Sequence, residues 1–471
     1  KYVSMEKEVY SDQAVIVRYM NPYPPTYDLL LGIIQQTNES VYWTLKFFNG
    51  LIVASAVLFF FFFVREFSNN RKLALFATFC LASIPAFLSH FIWALALTMP
   101  LYFVTFYAIE QINYDKKWWI VSGLVMFTTL TSSPTHSTYF GVFFILYFLV
   151  RSIVEKKILV YEALAGLLGI ASSFLIWWLP MILKHGVAGT LQGIGFRAGH
   201  GAASFGGTGD RAYTLGDFLF AKHQNMINNP VGVGLVLSLL AIIGVVFLII
   251  KYKEIIEKRH YWLFVTFIWF LFTLYAVNAA KMPIKLSPFR AWMIFAIPVC
   301  IFAAYSAIAL LDLSKGVAGK FGMIALLLVL VTGIYYTSTA QKISVNTAQW
   351  PPGGFWSSGE ELEAYLWMKD NLPNNAAVFS FVIDGPTIGF DKFICYWCED
   401  LLEIRKTAAN ESAQTMYTYL KQHNYKYVMF DGQFARKFGV DTINMRLQEY
   451  GQSGMYKPVF QNNGAVIFEV V

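Results

Sequence analysis

Long runs of apolar residues fill most of the first 340 positions of the chain and alternate with short polar connections. A helix needs about 20 apolar residues to cross the ~30 Å hydrocarbon layer of a membrane. Ten segments have or approach this length, and those between 73 and 150 are so short and closely spaced that one pair could be re-entrant. The pattern therefore predicts an α-helical polytopic membrane protein. The predicted spans lie near residues 44–64, 73–89, 93–111, 118–134, 136–150, 160–183, 231–250, 261–280, 288–312 and 320–338.

The charges of the connecting loops predict the orientation of these spans. Alternate loops are basic and read REFSNNRK, NYDKKW, RSIVEKK, KYKEIIEKRH and SKGVAGK. The other loops read SHFIW, SSPTHS, a long Gly-rich stretch at 185–230 and KMPIKLSPFR. Because cytoplasmic loops are enriched in Lys and Arg, the first set is assigned to the cytoplasm. Ten crossings return the chain to its starting side, so both ends are expected on the extracytoplasmic side of a multi-pass cell-membrane protein.

Three parts are predicted: an outer segment at 1–43, a transmembrane domain at 44–338 and a soluble α/β domain at 339–471. In the first part, Tyr27–Gln36 follows a proline-rich turn and predicts an interfacial helix. The chain begins at Lys1 without a methionine, so we expect further residues before it, and a preceding helix would make eleven spans. The last part is expected to be three-layered and partly parallel. Its predicted helices are 359–371, 412–423 and 442–450, and its predicted strands are 377–383, 426–430, 459–461 and 465–470.

Composition agrees with this assignment. The chain is 56% hydrophobic and 14% charged, whereas soluble domains carry about 25% charged residues. The net charge of +7 falls mostly in short loops, and we attribute it to membrane topology rather than to binding of nucleic acid. The predicted spans hold almost no charge away from their ends and show no inverted repeat, which argues against a transporter or channel.

Four segments carry a resemblance to a known group of proteins. They are YPPTYDLLLG at 23–32, SHFIWALALTMPLYFVTFYAIE at 89–110, SPFRAWMIFAIP at 287–298 and WMKDNLPNNAAVFSF at 367–381. In this order they resemble the GT-C superfamily of membrane glycosyltransferases, and within it archaeal oligosaccharyltransferase catalytic-subunit-like proteins. The resemblance implies an enzyme that takes a sugar from a polyprenyl-phosphate or polyprenyl-diphosphate donor at the outer membrane face. It also implies a divalent metal, Mn or Mg, held by carboxylates of the outer loops.

Two segments depart from the oligosaccharyltransferase pattern. The second outer loop, Ser89–Trp93, has no acid where those enzymes carry a DxD-type pair. The soluble domain reads SFVIDG at 380–385 where they carry WWDYG, so that only Asp384 followed by a small residue remains. Both departures argue against a peptide acceptor. They leave two interpretations: a lipid-linked glycosyltransferase of another substrate class, or a non-catalytic membrane subunit that scaffolds an envelope complex with protein partners.

The candidate catalytic groups lie in the outer loops. Asp12, with Glu8 nearby, occupies the loop where the superfamily carries its catalytic acid. A carboxylate there serves as the base for an acceptor hydroxyl or as a metal ligand that helps neutralise the departing phosphate; the alternative is a solvated loop acid. His90 could hold a metal together with Asp12, although no HxH or HxxxH spacing occurs. Five histidines fall at expected outer positions, namely His90, His136, His185, His200 and His223.

Lys281, Lys285 and Arg290 cluster at the outer end of the ninth span, on the side that should be poor in cations. The guanidinium fork suits phosphate oxygens, and Lys supplies a mobile point charge. We interpret the three as binding the phosphate of a lipid carrier, with Arg290 the best candidate because it also lies in a matched segment. The alternative is that they reach to lipid headgroups. The long loop at 185–230 is of a length that is usually functional or disordered.

Two further motifs fall on the expected outer side. Cys395 and Cys398 form a CxxC, for which a local disulfide or inert thiols are favoured, because no second CxxC or HxxxH accompanies them as zinc would require. Asn38 and Asn410 each begin an NxS sequon and are predicted glycosylation sites.

Overall fold

A computed structural model describes residues 4–5, 23–87, 94–193, 212–221, 231–284, 286, 288–347 and 358–471. These residues fall into two compact units. The helical unit contains residues 23–27 and 49–347 within those ranges, and the α/β unit contains residues 4–5, 28–48 and 358–471.

The helical unit follows the apolar segments of the sequence. Helix α1 (Thr26–Asn38) begins directly after Pro25 and passes into the α/β unit at residue 28, and a short turn, Val41–Trp43, and a π-helical turn, Thr44–Phe48, of that unit precede the first long helix. The helices that follow are α2 (Asn49–Ser68), α3 (Arg71–Ser83), α4 (Ala94–Gln111), α5 (Trp118–Leu130), α6 (Pro134–Glu155), α7 (Val160–Ser173), α8 (Leu179–Gly193), α9 (Leu215–Leu219), α10 (Leu235–Ile250), α11 (Tyr252–Glu257), α12 (Tyr261–Val277), α13 (Pro288–Ile334) and α14 (Ala340–Asn346). Further π-helical turns lie at Phe174–Trp178 and Tyr335–Thr339, and a 3-10 turn lies at Ala279–Lys281.

Each of the ten predicted spans contains one of these helices or part of one. Helix α13 joins the last two predicted spans, but it bends at Gly319, where φ is +62°. Glycine adopts this backbone conformation without a steric penalty, and the bend lies in the predicted loop SKGVAGK. Among the described residues, four continuous helical stretches are long and apolar enough to cross a membrane, namely Val41–Ser68, Pro134–Glu155, Val160–Leu191 and Pro288–Asn346. Shorter apolar helices lie at Trp118–Leu130, Leu235–Ile250 and Tyr261–Val277.

Trp269 lies at the centre of the core of the helical unit. Its ring stacks on Phe143 with centroids 4.6 Å apart, and it lies 4.9 Å from Phe106 and 5.8 Å from Phe67. The indole Nε1 donates a hydrogen bond to the main-chain oxygen of Phe143 at 3.0 Å, so the buried polar atom is satisfied. These contacts join α2, α4, α6 and α12 around one aromatic cluster.

A buried charge network joins the ends of α4 and α6. The side chains of Arg151 and Glu110 are each only 2% exposed. Both oxygens of the Glu110 carboxylate accept hydrogen bonds from phenol hydroxyls, at 2.8 Å from Tyr147 and 2.6 Å from Tyr261. Each buried charge therefore has partners, as burial requires. Three carboxylates lie within 3.7 Å of the guanidinium of Arg151, those of Glu110, Glu155 and Glu162.

Within residues 358–471, the α/β unit contains six helices in addition to residues 28–38 of α1. The first, α15, begins with a capping box in which Ser358 and Glu361 each accept a hydrogen bond from the other's backbone amide. The elements are α15 (Gly359–Asn371), β1 (Val378–Ser380), α16 (Gly385–Gly389), α17 (Glu399–Thr407), α18 (Ala413–Gln422), β2 (Tyr427–Asp431), α19 (Gly432–Phe438), α20 (Val440–Gln452), β3 (Tyr456–Gln461) and β4 (Ala465–Val470).

The four strands form one mixed sheet in the order β1-β2-β4-β3. Strands β1 and β2 are parallel, and the pairings of β2 with β4 and of β3 with β4 are antiparallel. Alternate residues of the strands face opposite sides, so Phe379 and Val428 belong to one apolar core while Val378 and Met429 belong to the other. The unit is thus a three-layered, partly parallel α/β structure.

Both edges of this sheet depart from a regular, open strand. Strand β3 at one edge has exposed Lys457 and Pro458, and its register shifts between Pro458 and Phe460. At the other edge, Phe393 pairs with Ala377 next to β1. Proline lacks the amide hydrogen that an incoming strand would need.

The predicted helix at 359–371 and the predicted strand at 465–470 are confirmed with their bounds, and the other predicted elements of the tail differ from the observed ones by a few residues at their ends. Helices α16, α17 and α19 were not predicted. They are five, nine and seven residues long, and such short segments show too few turns for their apolar period to stand out.

Candidate functional site

The sequence-predicted site residues are divided between described and undescribed parts of the chain. Glu8, Asp12, His90 and Lys285 lie outside the described residues. Arg290 and Lys281 lie within them, and the candidate site is built around Arg290.

Arg290 lies in the first turn of α13, which begins with Pro288. Its Nη1 donates a hydrogen bond to Oγ1 of Thr135 at 2.7 Å. Thr135 lies in the first turn of α6, which begins with Pro134. Proline suits this position because its fixed φ is helical and the amide hydrogen it lacks would have no partner within the helix. The contact therefore brings together the amino-terminal ends of two long helices, where the helix dipoles favour anions.

His136 follows Thr135 and is 1% exposed. Its Nδ1 lies 3.1 Å from the hydroxyl of Ser133, and its main-chain oxygen accepts a hydrogen bond from the hydroxyl of Tyr102. The imidazole also interacts with the main chain and with the charge of Arg290. The site thus combines a guanidinium, hydroxyl groups and an imidazole.

Ser133 is the N-cap residue of α6, but its side chain makes no capping hydrogen bond. An N-cap hydroxyl usually accepts a hydrogen bond from an amide of the first turn. Here the hydroxyl interacts with the imidazole instead, so it orients His136 rather than closing the end of the helix.

Lys281 is placed by a different contact. Its Nζ donates a hydrogen bond to the main-chain oxygen of Tyr213 at 3.2 Å. The ring of Tyr213 packs edge-on against Trp292 in α13, with centroids 5.3 Å apart. Lys281 therefore holds a described part of the loop at 185–230 against the helix that carries Arg290.

Little in the sequence indicates that Ser133, Thr135 and His136 form a group. The loop TSSPTHS shows five hydroxyl residues and a histidine between two spans, which is an unusually polar composition for so short a connection. Its contact with Arg290, 155 positions away in the chain, depends on helix packing that no local pattern reveals.

Asp12 and His90, the predicted metal ligands, both lie outside the described residues. Within the described ranges no group of three or more His, Cys, Asp or Glu side chains is arranged to hold a metal ion.

Cys395 and Cys398 form a disulfide in the α/β unit. Of the two sequon asparagines, Asn410 is exposed. Asn38 is half-buried, and its Nδ2 donates hydrogen bonds to the main-chain oxygen of Ile34 and to Oγ1 of Thr44, both at 3.0 Å. Asn410 is the more accessible of the two.

No protein-family model matches the sequence, and no curated protein matches it by sequence. Solved structures do match the fold. ArnT from Cupriavidus metallidurans, in the apo state, aligns with a TM-score of 0.51 and 13% identity over 95% of this chain and 87% of that one. This chain has the GT-C fold. The expected resemblance to GT-C proteins is therefore confirmed at the level of the fold.

The Archaeoglobus fulgidus oligosaccharyltransferase, solved with a tethered acceptor peptide containing an NVT sequon, aligns with a TM-score of 0.49 and 11% identity. The alignment covers 96% of this chain but only 66% of that enzyme, so this chain spans just under two thirds of its length.

Proposed function

We propose that this protein is a membrane glycosyltransferase that takes a sugar from a polyprenyl-phosphate or polyprenyl-diphosphate donor at the outer membrane face. The observation that carries the proposal is the hydrogen bond between Arg290 and Thr135, which unites two helix amino termini in a chain with the GT-C fold.

The physical support comes from the chemistry of phosphate. A guanidinium binds phosphate oxygens through two parallel hydrogen bonds, and helix amino termini supply amide hydrogens and a partial positive charge. Both favour the transition state, in which negative charge builds up on the departing lipid phosphate. Arg290 is thus the central phosphate ligand, and Lys281 and Lys285 are assigned to the same role at the margin of the site.

The remaining roles follow the sequence expectations. Asp12, assisted by Glu8, is proposed as the catalytic carboxylate, and Asp12 with His90 as ligands of a divalent cation, Mn or Mg. No step of the phosphate-binding proposal depends on that cation. The α/β unit is proposed to lie on the extracytoplasmic side, and the partners are membrane lipids and the lipid-linked donor.

The test uses the full chain reconstituted into vesicles with polyprenyl-phosphate and polyprenyl-diphosphate donors that carry radiolabelled sugars. Loss of the sugar from the lipid, with an envelope extract supplied as acceptor, is measured by chromatography. Arg290→Ala is expected to lower turnover by at least tenfold, and Arg71→Ala, at an exposed arginine of α3, serves as the matched control.

Unchanged turnover in an Asp12→Asn, Arg290→Ala double variant would contradict the assigned roles. No transfer from any donor by the unmodified chain, with a stably co-purifying protein partner, would instead favour the non-catalytic subunit. Chelation of divalent cations followed by addition of Mn or Mg tests the metal separately.

A further inference from the structure

The short turn and the π-helical turn that precede α2 present two different sides. Val41 and Thr44 are buried, with 6% and 2% exposure. Trp43 and Phe47 are more than half exposed, at 53% and 58%, and Lys46 beside them is exposed as well. Adjacent exposed aromatic side chains mark a surface that contacts something outside the chain.

The exposed side continues along α2. Leu51 and Leu58, about one and three turns beyond Phe47, are 57% and 54% exposed and lie on the same side of the helix. The continuous stretch Val41–Ser68 is long and apolar enough to cross a membrane. The side that carries these leucines therefore faces hydrocarbon, and Trp43 and Phe47 lie where the helix enters the bilayer.

Lys46 supplies a cation to this side. Its Nζ donates a hydrogen bond to the hydroxyl of Tyr42 at 2.7 Å and lies 4.9 Å and 5.9 Å from the ring centres of Tyr42 and Trp43. These partners are neutral, so they hold the ammonium in place without neutralising its charge. A lysine at the end of a span reaches towards the headgroup layer, where phosphate is the available anion.

We propose that Trp43, Lys46 and Phe47 form a lipid-docking surface that binds the headgroup layer of a glycerophospholipid bilayer. The two rings lie at the boundary between headgroups and acyl chains, where aromatic side chains are favoured, and the ammonium binds a headgroup phosphate. Lipid is favoured over a protein partner because the surface runs without interruption into the hydrocarbon-facing side of α2. The opposite side of the segment is occupied by the protein itself, since Tyr42 packs on Phe390 at 5.5 Å.

The test measures the depth of this surface in a bilayer and does not depend on the proposed glycosyl transfer. The full chain is reconstituted into vesicles of equal amounts of phosphatidylcholine and phosphatidylglycerol, and a nitroxide is attached to one introduced cysteine. Cys80 and Cys300 are buried and Cys395 is paired with Cys398, so labelling is confined to the new site. Collision rates with oxygen and with a water-soluble nickel complex report the depth.

The labels in Trp43→Cys and Phe47→Cys are expected about 5–10 Å into the boundary between headgroups and acyl chains, and the label in Leu58→Cys is expected deeper. Leu362→Cys, at an exposed position of α15, is the matched control and should remain in water. Nickel collision rates at positions 43 and 47 equal to the rate at 362 would overturn the inference. Dipolar broadening between nitroxides would show that a second copy covers the surface and would overturn it too.

A second measurement tests the ammonium. A fluorophore at position 47 is quenched by phosphatidylglycerol or phosphatidylcholine that carries the same acyl-chain nitroxide, and the ratio gives the local lipid preference. We expect about fivefold preference for phosphatidylglycerol, equivalent to about 1 kcal/mol. Lys46→Gln should remove the preference, whereas Lys406→Gln, at an exposed lysine of α17, should keep it. Equal quenching by both lipids with Lys46 present would overturn the role of the ammonium.

A third measurement keeps Lys46 and Phe47 unchanged and covers the case in which the cysteine variants fold poorly. Trp43 is one of thirteen tryptophans, and the difference in fluorescence between the unmodified chain and Trp43→Phe isolates its emission. Phospholipids brominated close to the headgroup should quench this emission more than phospholipids brominated near the end of the acyl chain. Emission that neither lipid quenches would overturn the inference.

Discussion

The carboxylate of Asp391 accepts a hydrogen bond from the hydroxyl of Ser40 at 2.7 Å and another from the amide of Tyr42 at 3.0 Å. The two partners lie some 350 positions away in the chain. Around this contact the ring of Tyr42 packs on Phe390 at 5.5 Å, and the ammonium of Lys369 lies 5.0 Å above the same ring. Residues 28–48 are therefore an integral part of the α/β unit.

The first prediction concerns Asp391. Asp391→Asn keeps the shape of the side chain and the tolerance for its positive φ of +65°, but it removes the charge and one acceptor. Hydrogen bonds to charged groups contribute about 1.5–3 kcal/mol, so we expect faster amide exchange across residues 38–48. Hydrogen-exchange mass spectrometry checks this. Glu403→Gln, at an exposed side chain of α17, should leave the exchange unchanged, and equal exchange in both variants would contradict the prediction.

The second prediction concerns the disulfide. The pair Cys395–Cys398 closes a short loop in which buried Trp397 packs against Leu29 of α1. Reduction, or the double change Cys395→Ser with Cys398→Ser, should loosen this loop and increase amide exchange in residues 28–38. In the chain-entropy model so short a loop contributes about 2 kcal/mol.

Thiol labelling provides the control for this experiment. The other two cysteines, Cys80 and Cys300, are buried free thiols, so two additional thiols should become reactive only after reduction. Unchanged exchange in α1 when both thiols are labelled would show that the disulfide does not support that contact.

The third prediction concerns Asp431 and pH. This side chain caps α19 and accepts a hydrogen bond from the hydroxyl of Tyr365 at 3.1 Å. Burial, with a smaller contribution from Glu361, raises the pKa of Asp431 from 3.8 to about 6. Between these values the folded state binds more protons than the unfolded state, so the free energy of unfolding falls as pH rises from about 4 to about 6. The total loss from this group is about 3 kcal/mol.

Asp431→Asn tests this assignment, because asparagine caps a helix as well as aspartate does but does not titrate. The variant should flatten the pH dependence of amide protection in β2, once intrinsic exchange rates are corrected. Asp441→Asn, at an exposed aspartate of α20, should keep the dependence of the unmodified chain. A slope that survives in Asp431→Asn would assign the effect to another group.

The fourth prediction concerns the charge network of the helical unit. Arg151→Met leaves the carboxylate of Glu110 buried without its cation, and the loss of one partner of a buried pair costs about 3–5 kcal/mol. The thermal midpoint in detergent should therefore fall sharply. Glu110→Gln in the same chain should recover part of the loss. Arg65→Met, at an arginine 40% exposed and paired with Glu66, should cost at most about 1 kcal/mol, and equal losses in both arginine variants would contradict the assignment.

The amount that the sequence could predict differs between parts of the molecule. The apolar segments were located because a membrane span imposes a length and a composition that are visible in any window. Helix α15 was predicted with its bounds because a capping sequence, an amphipathic pattern and Pro373 mark it locally. Helix α17 was missed because its apolar positions are few and its start is set by the Cys395–Cys398 loop.

Of the groups at the candidate site, the sequence predicted the cationic side chain of Arg290 but not its neighbours. Arg290 was predicted as a site residue because the positive-inside rule explains basic residues on the cytoplasmic side but not a guanidinium on the expected outer side. Thr135 and His136 could not be joined to it from the sequence, since their proximity depends on how α6 and α13 each pack against α12. The alternatives left open for Asp12 and Glu8 remain proposals, because those residues lie outside the described ranges.

The two edges of the sheet affect how neighbouring copies of the chain can associate. Pro458 interrupts the outer strand where a neighbouring copy would otherwise add its own strand, and Phe393 covers the opposite side. Fibrillar assembly needs an open row of amide and carbonyl groups on which each new chain can stack. Strand addition between neighbouring copies is therefore disfavoured at both edges.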